Sequence, residues 1–332
     1  MSDDPRADVT GGVTRLTGHA EPIWAVATAQ VAGRPVAVTG SYDETLRVWD
    51  LTTGRQRGEP LTGHTDEVLA VATAVVDGRA VAVTGSADRT VRVWDLAGGR
   101  QLGDPLGHAY GVPAVATAVV DGRAVAVTGS ADRTVRVWDL TTGRQVGRSM
   151  CGHTGPVWAV ATMEVGGRPV AVTGSYDETL RVWDLTTREQ LGRVLTGHAG
   201  AVRAVATVVL DGRPVAVSGG QDETVRVWDL AGGRQLGRPL TGHDGWVLAL
   251  DTVTIDGRPR IVSGGEDQRL LLWDPATGGR VGEPLTGSTD KVRAVTTVVV
   301  DGRPHVIGAG QDGTVRVWDL TVGGPNRLRT GR

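Results

Sequence analysis

The chain has no phenylalanine, one cysteine (Cys151) and one lysine (Lys291) among its 332 residues. A lone cysteine excludes an internal disulfide and any cysteine-based metal site. No stretch approaches the roughly 20 apolar residues that a membrane helix needs. The opening Met1-Ser2-Asp3-Asp4-Pro5 lacks the apolar segment of a secretory signal. A cytoplasmic location without membrane attachment is therefore expected. Lys and Arg total 35 against 37 Asp and Glu, for a net charge of −2. That balance gives no bulk attraction to nucleic acid. The reliance on arginine fits a GC-rich genome and predicts a bacterial source. No phosphate loop, zinc-protease motif or dinucleotide-binding fingerprint is present, so no cofactor and no metal are expected. What is abundant is glycine, 49 residues, which signals many turns.

Internal repetition decides the architecture. Trp-Asp occurs seven times, beginning at Trp49, Trp94, Trp138, Trp183, Trp228, Trp273 and Trp318, with spacings of 44 or 45 residues. Gly-His precedes six of them, with Gly287-Ser288 in the seventh slot. Each repeat holds four β segments. In the second, Val68 to Val76 is apolar and β-branched, Asp77-Gly78 supplies a tight hairpin, and Ala80 to Gly85 returns. Thr90 to Asp95 and Leu102 to Leu106 follow. No segment shows a useful helical period.

Four-stranded units with Gly-His and Trp-Asp signatures at this period resemble the tryptophan–aspartate (WD) repeat family of β-propellers. The resemblance spans residues 12 to 320. It implies an all-β, seven-bladed propeller of antiparallel blades closed by an N-terminal strand. Residues 1–11 are read as a flexible tail, 12–320 as one propeller and 321–332 as a C-terminal tail. The family ties each blade with a hydrogen-bonded tetrad of His, Ser or Thr, Asp and Trp. The matching residues are His19, Thr39, Asp43 and Trp49; His64, Thr84, Asp88 and Trp94; His108, Thr128, Asp132 and Trp138. Blades four to six supply His153, Thr173, Asp177 and Trp183; His198, Ser218, Asp222 and Trp228; His243, Ser263, Asp267 and Trp273. A hydroxyl, an imidazole and a carboxylate also suggest a catalytic triad. Six copies argue against that reading, because six open clefts would be required.

Blade seven keeps Asp312 and Trp318 but has Ser288 for the His and Gly308 for the Ser/Thr. A weaker blade is expected there, at the point of ring closure. Val13-Thr14-Arg15-Leu16-Thr17 matches a fourth strand and should seal the exposed edge of blade seven. Asn326-Arg327-Leu328-Arg329-Thr330 is a competing candidate.

Within each repeat the fourth residue after the His is Ile or Val, the sixth Ala and the ninth Thr, as expected of core. Because a meander reverses at every turn, the His and Asp turns share one end, the top. Three positions there vary, and in the family they contact partners. The third after the His is Pro22, Glu67, Gly111, Pro156, Ala201, Trp246 and Lys291. The fifth is Trp24, Leu69, Pro113, Trp158, Arg203, Leu248 and Arg293. The residue before the tetrad Asp is Tyr42, Ala87, Ala131, Tyr176, Gln221, Glu266 and Gln311. Five of the six aromatics outside the Trp-Asp pairs fall in these positions, and Tyr110 lies beside them. Aromatics and arginines dominate binding hot spots.

The expected function is a non-catalytic, monomeric scaffold presenting this face to a protein or peptide. The partner would bear both signs of charge and stack an apolar or cationic side chain. Its contacts would be Trp24, Tyr42, Glu67, Leu69, Tyr110, Trp158, Tyr176, Arg203, Gln221, Trp246, Glu266, Lys291, Arg293 and Gln311. The alternative is an enzyme or small-molecule binder with a pocket at the channel mouth, using Glu67, Glu266, Arg203 or Arg293. Seven hairpin arginines, from Arg34 to Arg303, ring the bottom and are read as solvated. His305 is expected at the surface, and Cys151 is read as a small buried residue.

Overall fold

The repeats become hairpins because two successive residues in each connection tolerate positive φ. Asp77 and Gly78 lie at 49° and 75°, the backbone of a tight turn whose twist matches paired antiparallel strands. Val76 and Arg79 flank that turn as partners. A second left-handed residue, Arg89 at 70°, carries the chain over the top into the third strand.

The computed structural model describes residues 8–10, 13–285 and 287–321. They form seven antiparallel sheets with no helix, arranged as blades of a propeller. The inner strands, such as Val68–Val76 and Val202–Leu210, pack in succession from blade to blade, and Ile23–Val31 of blade one meets Val292–Val300 of blade seven. Ring closure follows the N-terminal expectation. Val13–Thr17 pairs antiparallel with Thr314–Asp319, from Thr17 opposite Thr314 to Val13 opposite Trp318. Asp8–Thr10 adds a further strand outside it. Those three residues are therefore strand rather than flexible tail, because the edge left by Val13–Thr17 offers a pairing partner. The competing Asn326–Thr330 segment lies outside the described residues.

Outer strands are the least regular. In blade six the outer strand reduces to two isolated bridges, Leu270 with Leu285 and Trp273 with Arg280. In blade two the register shifts between Leu102 and Leu106, around Gly103 at φ 66°.

Two features bind neighbouring blades. The invariant threonine of each inner strand donates its hydroxyl to the backbone carbonyl of the corresponding threonine in the preceding blade. Thr73 bonds Thr28 O at 2.7 Å, Thr117 bonds Thr73 O at 2.8 Å and Thr162 bonds Thr117 O at 2.7 Å. Thr207, Thr252 and Thr297 continue at 3.1, 3.3 and 2.9 Å. Thr28 closes the girdle onto Thr297 O at 3.4 Å. The second feature is close packing at glycine. A Cβ on Gly129 would lie 2.6 Å from Val157 Cγ1 of the next blade, and Gly40, Gly85, Gly174, Gly219 and Gly264 are similarly crowded. Blade seven has Ala309 at this position, packed with Ile23 and Val26 of blade one. The closing junction thus accepts a methyl group that the other six do not, and it carries the longest girdle bond.

Gly129→Ala should therefore destabilise the protein by about 1–3 kcal/mol through overpacking, read by denaturant unfolding. Gly107→Ala, with open space around its Cβ position, should stay within about 0.5 kcal/mol.

Candidate functional site

Each of the first six blades shows the same buried chain of polar groups. In blade two, Trp94 Nε1–H donates to Thr84 Oγ1 at 2.9 Å, that hydroxyl meets His64 Nε2 at 2.7 Å, and His64 Nδ1 meets Asp88 Oδ2 at 2.7 Å. The arrangement fixes the roles: Nδ1–H donates to the carboxylate and Nε2 accepts from the hydroxyl. Asp88 also accepts from Thr90, through its backbone N–H at 2.8 Å and its hydroxyl at 2.7 Å. The same connections tie His19, Thr39, Asp43 and Trp49 and His108, Thr128, Asp132 and Trp138. They recur for His153, Thr173, Asp177 and Trp183. With serine as the hydroxyl they recur for His198, Ser218, Asp222 and Trp228 and for His243, Ser263, Asp267 and Trp273. In all six the imidazole and hydroxyl are shut away from solvent, so no substrate can reach them. The tetrads are ties.

Blade seven solves the same problem differently. Asp312 is held by Arg316, through Nη2 at 2.6 Å and Nη1 at 3.1 Å, and by the Thr289 hydroxyl at 2.7 Å. Arg316 is buried. Glycine at 308 follows from packing, since a Cβ there would lie 2.9 Å from Trp318 Cζ3 and 3.1 Å from Leu270 Cδ1.

At the top the fifth positions converge. Trp24, Leu69, Pro113, Trp158, Arg203, Leu248 and Arg293 surround a cavity of about 60 Å³ and plug the channel mouth. Arg293 lies 4.1 Å over the Trp24 ring, which stacks on Tyr42 at 5.2 Å. Arg203 lies 4.0 Å over Trp158, beside Tyr176. The chain's own guanidinium groups therefore cover one face of each of these two indoles. Burial pushes the pKa of both arginines down, and their mutual repulsion adds to this for Arg203. Arg293 Nε donates to Gln311 Oε1 at 2.8 Å. Neither arginine has a carboxylate within ion-pairing distance among the described residues. The Nε1–H groups of Trp24 and Trp158 are buried without a hydrogen-bond partner.

The remaining positions divide between exposed rings and paired charges. Tyr110, Tyr176 and Trp246 are 63%, 44% and 39% exposed. Lys291 Nζ binds Glu266 Oε1 at 2.6 Å. Gln221 Oε1 accepts from the Ala201 N–H at 3.4 Å. Glu67 is raised by burial and then by neighbouring Asp66, with the Tyr42 hydroxyl against it.

Asp251 escaped the sequence reading, although four other repeats and the first have alanine at its position and the seventh Thr296. Its carboxylate accepts from the backbone N–H groups of Thr252 and, across the blade boundary, Thr297, both at 2.7 Å. Burial raises its pKa against these bonds. The bonds span blades six and seven, a structural role. Cys151 is exposed rather than buried, since in the short outer strand Met150–Cys151 the side chains alternate, Met150 facing in and Cys151, opposite Thr134, facing out. His305 is partly exposed, its Nδ1–H donating to Arg303 O at 2.9 Å. Among the described residues no cluster of His, Cys, Asp or Glu could hold a metal, and no helix is long and apolar enough to cross a membrane.

The family described as "WD domain, G-beta repeat" matches residues 12–50, 55–95, 99–139, 144–184, 189–229, 234–274 and 280–319. The chain is a WD-repeat protein. Members of the WD-repeat family typically act as scaffolds for protein interactions. No curated relative matches the chain.

The tetrads predict an acid-sensitive fold. Burial lowers the pKa of His19 and His108 from 6.5, outweighing their aspartate partners. The unfolded chain then takes up protons first, so this stability is complete above about pH 6.5 and drains below it. Burial alone would raise the tetrad aspartates, but bonds from histidine and threonine hold them low, Asp132 at about 2. A second loss should set in below about pH 4. The melting temperature should be level from pH 7 to 8, decline below about 6.5 and drop steeply below about 4. Thr84→Val should cost about 1–3 kcal/mol by stranding His64 and Trp94.

Proposed function

We propose that this WD-repeat protein is a non-catalytic, monomeric platform of the cytoplasm that captures an acidic peptide segment of a protein on its top face. The observation that carries the reading is the pair Arg203 and Arg293. Both are partly buried, both lie over a tryptophan ring, at 4.0 and 4.1 Å, and neither meets a carboxylate among the described residues. A guanidinium in that state gains most from a carboxylate that completes its hydrogen bonds. Stacking on Trp158 and Trp24 holds each guanidinium in place before the partner arrives, which lowers the ordering cost of binding.

The plugged mouth is too small for more than a side-chain tip or a chain-terminal carboxylate. Apolar residues flanking that acid would lie over Tyr110, Tyr176 and Trp246. Glu67 and the Lys291–Glu266 pair lie beyond them as polar rim. The roles of Leu69, Gln221 and Gln311 are to shape the mouth and orient its arginines. Nucleic acid suits the face poorly, since Glu67 and Glu266 stand beside the cations. An enzyme reading finds less support, because Glu266 is already paired with Lys291 and Asp251 is committed to backbone N–H groups.

Selection of a random peptide library on the immobilised protein tests the proposal. Enriched peptides should carry Asp, Glu or a free C-terminus next to apolar residues. Arg203→Gln with Arg293→Gln should weaken them roughly tenfold to a hundredfold, and Trp246→Ala several-fold, with folding intact by circular dichroism. Peptides lacking acidic bias, or undiminished binding to the double variant, would contradict it.

A further inference from the structure

The Trp-Asp pair is followed by leucine in six blades, Leu51, Leu96, Leu140, Leu185, Leu230 and Leu320, and by Pro275 in blade six. Each of these leucines fills the groove between its own blade and the one before. Leu96 packs with Val36 of blade one, Leu140 with Val81 of blade two and Leu185 with Val125 of blade three. Leu51, Leu230 and Leu320 sit in the corresponding clusters. The cluster between blades five and six has no such residue. There, next to Pro275, a cleft of about 970 Å³ opens on the face opposite the aromatic rim. Its apolar lining includes Leu210, Val215, Leu236 and Leu240.

The charges at this cleft also differ from those of other blades. In four of the other five blades the hairpin arginine pairs with the aspartate of the Trp-Asp dipeptide: Arg34 with Asp50 at 3.4 Å, Arg123 with Asp139 at 3.6 Å, Arg168 with Asp184 at 3.7 Å and Arg303 with Asp319 at 3.4 Å; Arg79 of blade two acts on Asp95 only at longer range. In blades five and six other arginines take that aspartate, Arg234 reaching Asp229 at 3.9 Å and Arg260 reaching Asp274 at 3.2 Å. Arg213 and Arg258 are left without an ion-pair partner among the described residues, and both line the cleft together with Arg238. Among the described residues that line the cleft, the acids are Asp274, taken by Arg260, and Asp211.

We propose that the cleft between blades five and six binds a small amphiphilic organic anion, a carboxylate carrying an aliphatic or aromatic body. Its volume lies within the range of small-molecule sites, which combine an apolar lining with a few convergent polar groups. The leucine and valine side chains take the body, and Arg213 and Arg258 take the carboxylate in bidentate fashion. This site is independent of the top face.

Isothermal titration with sodium decanoate tests it, with decyltrimethylammonium as the probe of equal length and opposite charge. Decanoate should bind with one-to-one stoichiometry and at least tenfold more tightly than the cation. Pro275→Leu restores the filler used by the other six blades and should reduce decanoate affinity at least tenfold without lowering the melting temperature. Arg213→Gln with Arg258→Gln should have a similar effect on affinity while leaving the apolar lining intact, and this second variant decides the matter if Pro275→Leu folds poorly. Absence of saturable decanoate binding, equal binding of both probes, or full affinity in the arginine variant would overturn the proposal. So would binding of an acidic, leucine-rich peptide by a cleft that ignores decanoate.

Discussion

A stack of sheets with exposed edges is unstable against pairing with other chains, and the constraint from which this structure follows is that the seventh blade must meet the first. Two interactions satisfy it. Val13–Thr17 completes the last sheet from the other end of the chain, and a circular run of threonine hydroxyls links every inner strand to its predecessor, with all seven bonds pointing the same way around the ring. Each bond contributes about 1 kcal/mol net at most. Their value lies in register, since seven links between corresponding threonines leave each inner strand one height relative to its neighbours.

That rigidity separates support from binding. The tetrads occupy the interior of the blades and consume the histidines, hydroxyls and carboxylates that would otherwise suggest chemistry. The residues that differ between blades sit where strands enter at the top, and none of the tetrads depends on them. Variation at the rim is therefore cheap for the fold. The same logic holds on the opposite face, where one leucine replaced by Pro275 alters a groove without disturbing the blade behind it.

Much of this was legible in the sequence, because repetition exposes which positions are fixed. The blade count and the hairpin turns follow from spacing, the N-terminal closure from the match of Val13–Thr17 to a fourth strand, and the tetrads from the family resemblance. Other features required geometry. The invariant threonine reads as core, and nothing in its identity says that its hydroxyl crosses to the next blade. Nothing in the repeats says that Arg203 and Arg293 lie on Trp158 and Trp24 of the neighbouring blades, and the Arg293–Trp24 contact forms only when the ring closes. Gly308 reads as a defect, although the space it leaves is occupied by Trp318. Ala309 and Asp251 deviate from their repeats by small or isolated changes, and their meaning lies in what the neighbouring blade presents. The exposure of Cys151 depends on which face of the outer strand it takes, opposite to that of Met150, and its small size says nothing of that.

The claim that the aromatic and arginine-bearing rim is the working side is tested most directly by hydrogen–deuterium exchange of the free protein and of the protein saturated with a selected peptide. Exchange should slow in residues 107–113, 152–158, 198–203 and 243–248, with the hairpins at 76–79, 166–168 and 211–213 unchanged. Slowed exchange in those hairpins, with the top segments unaffected, would contradict it.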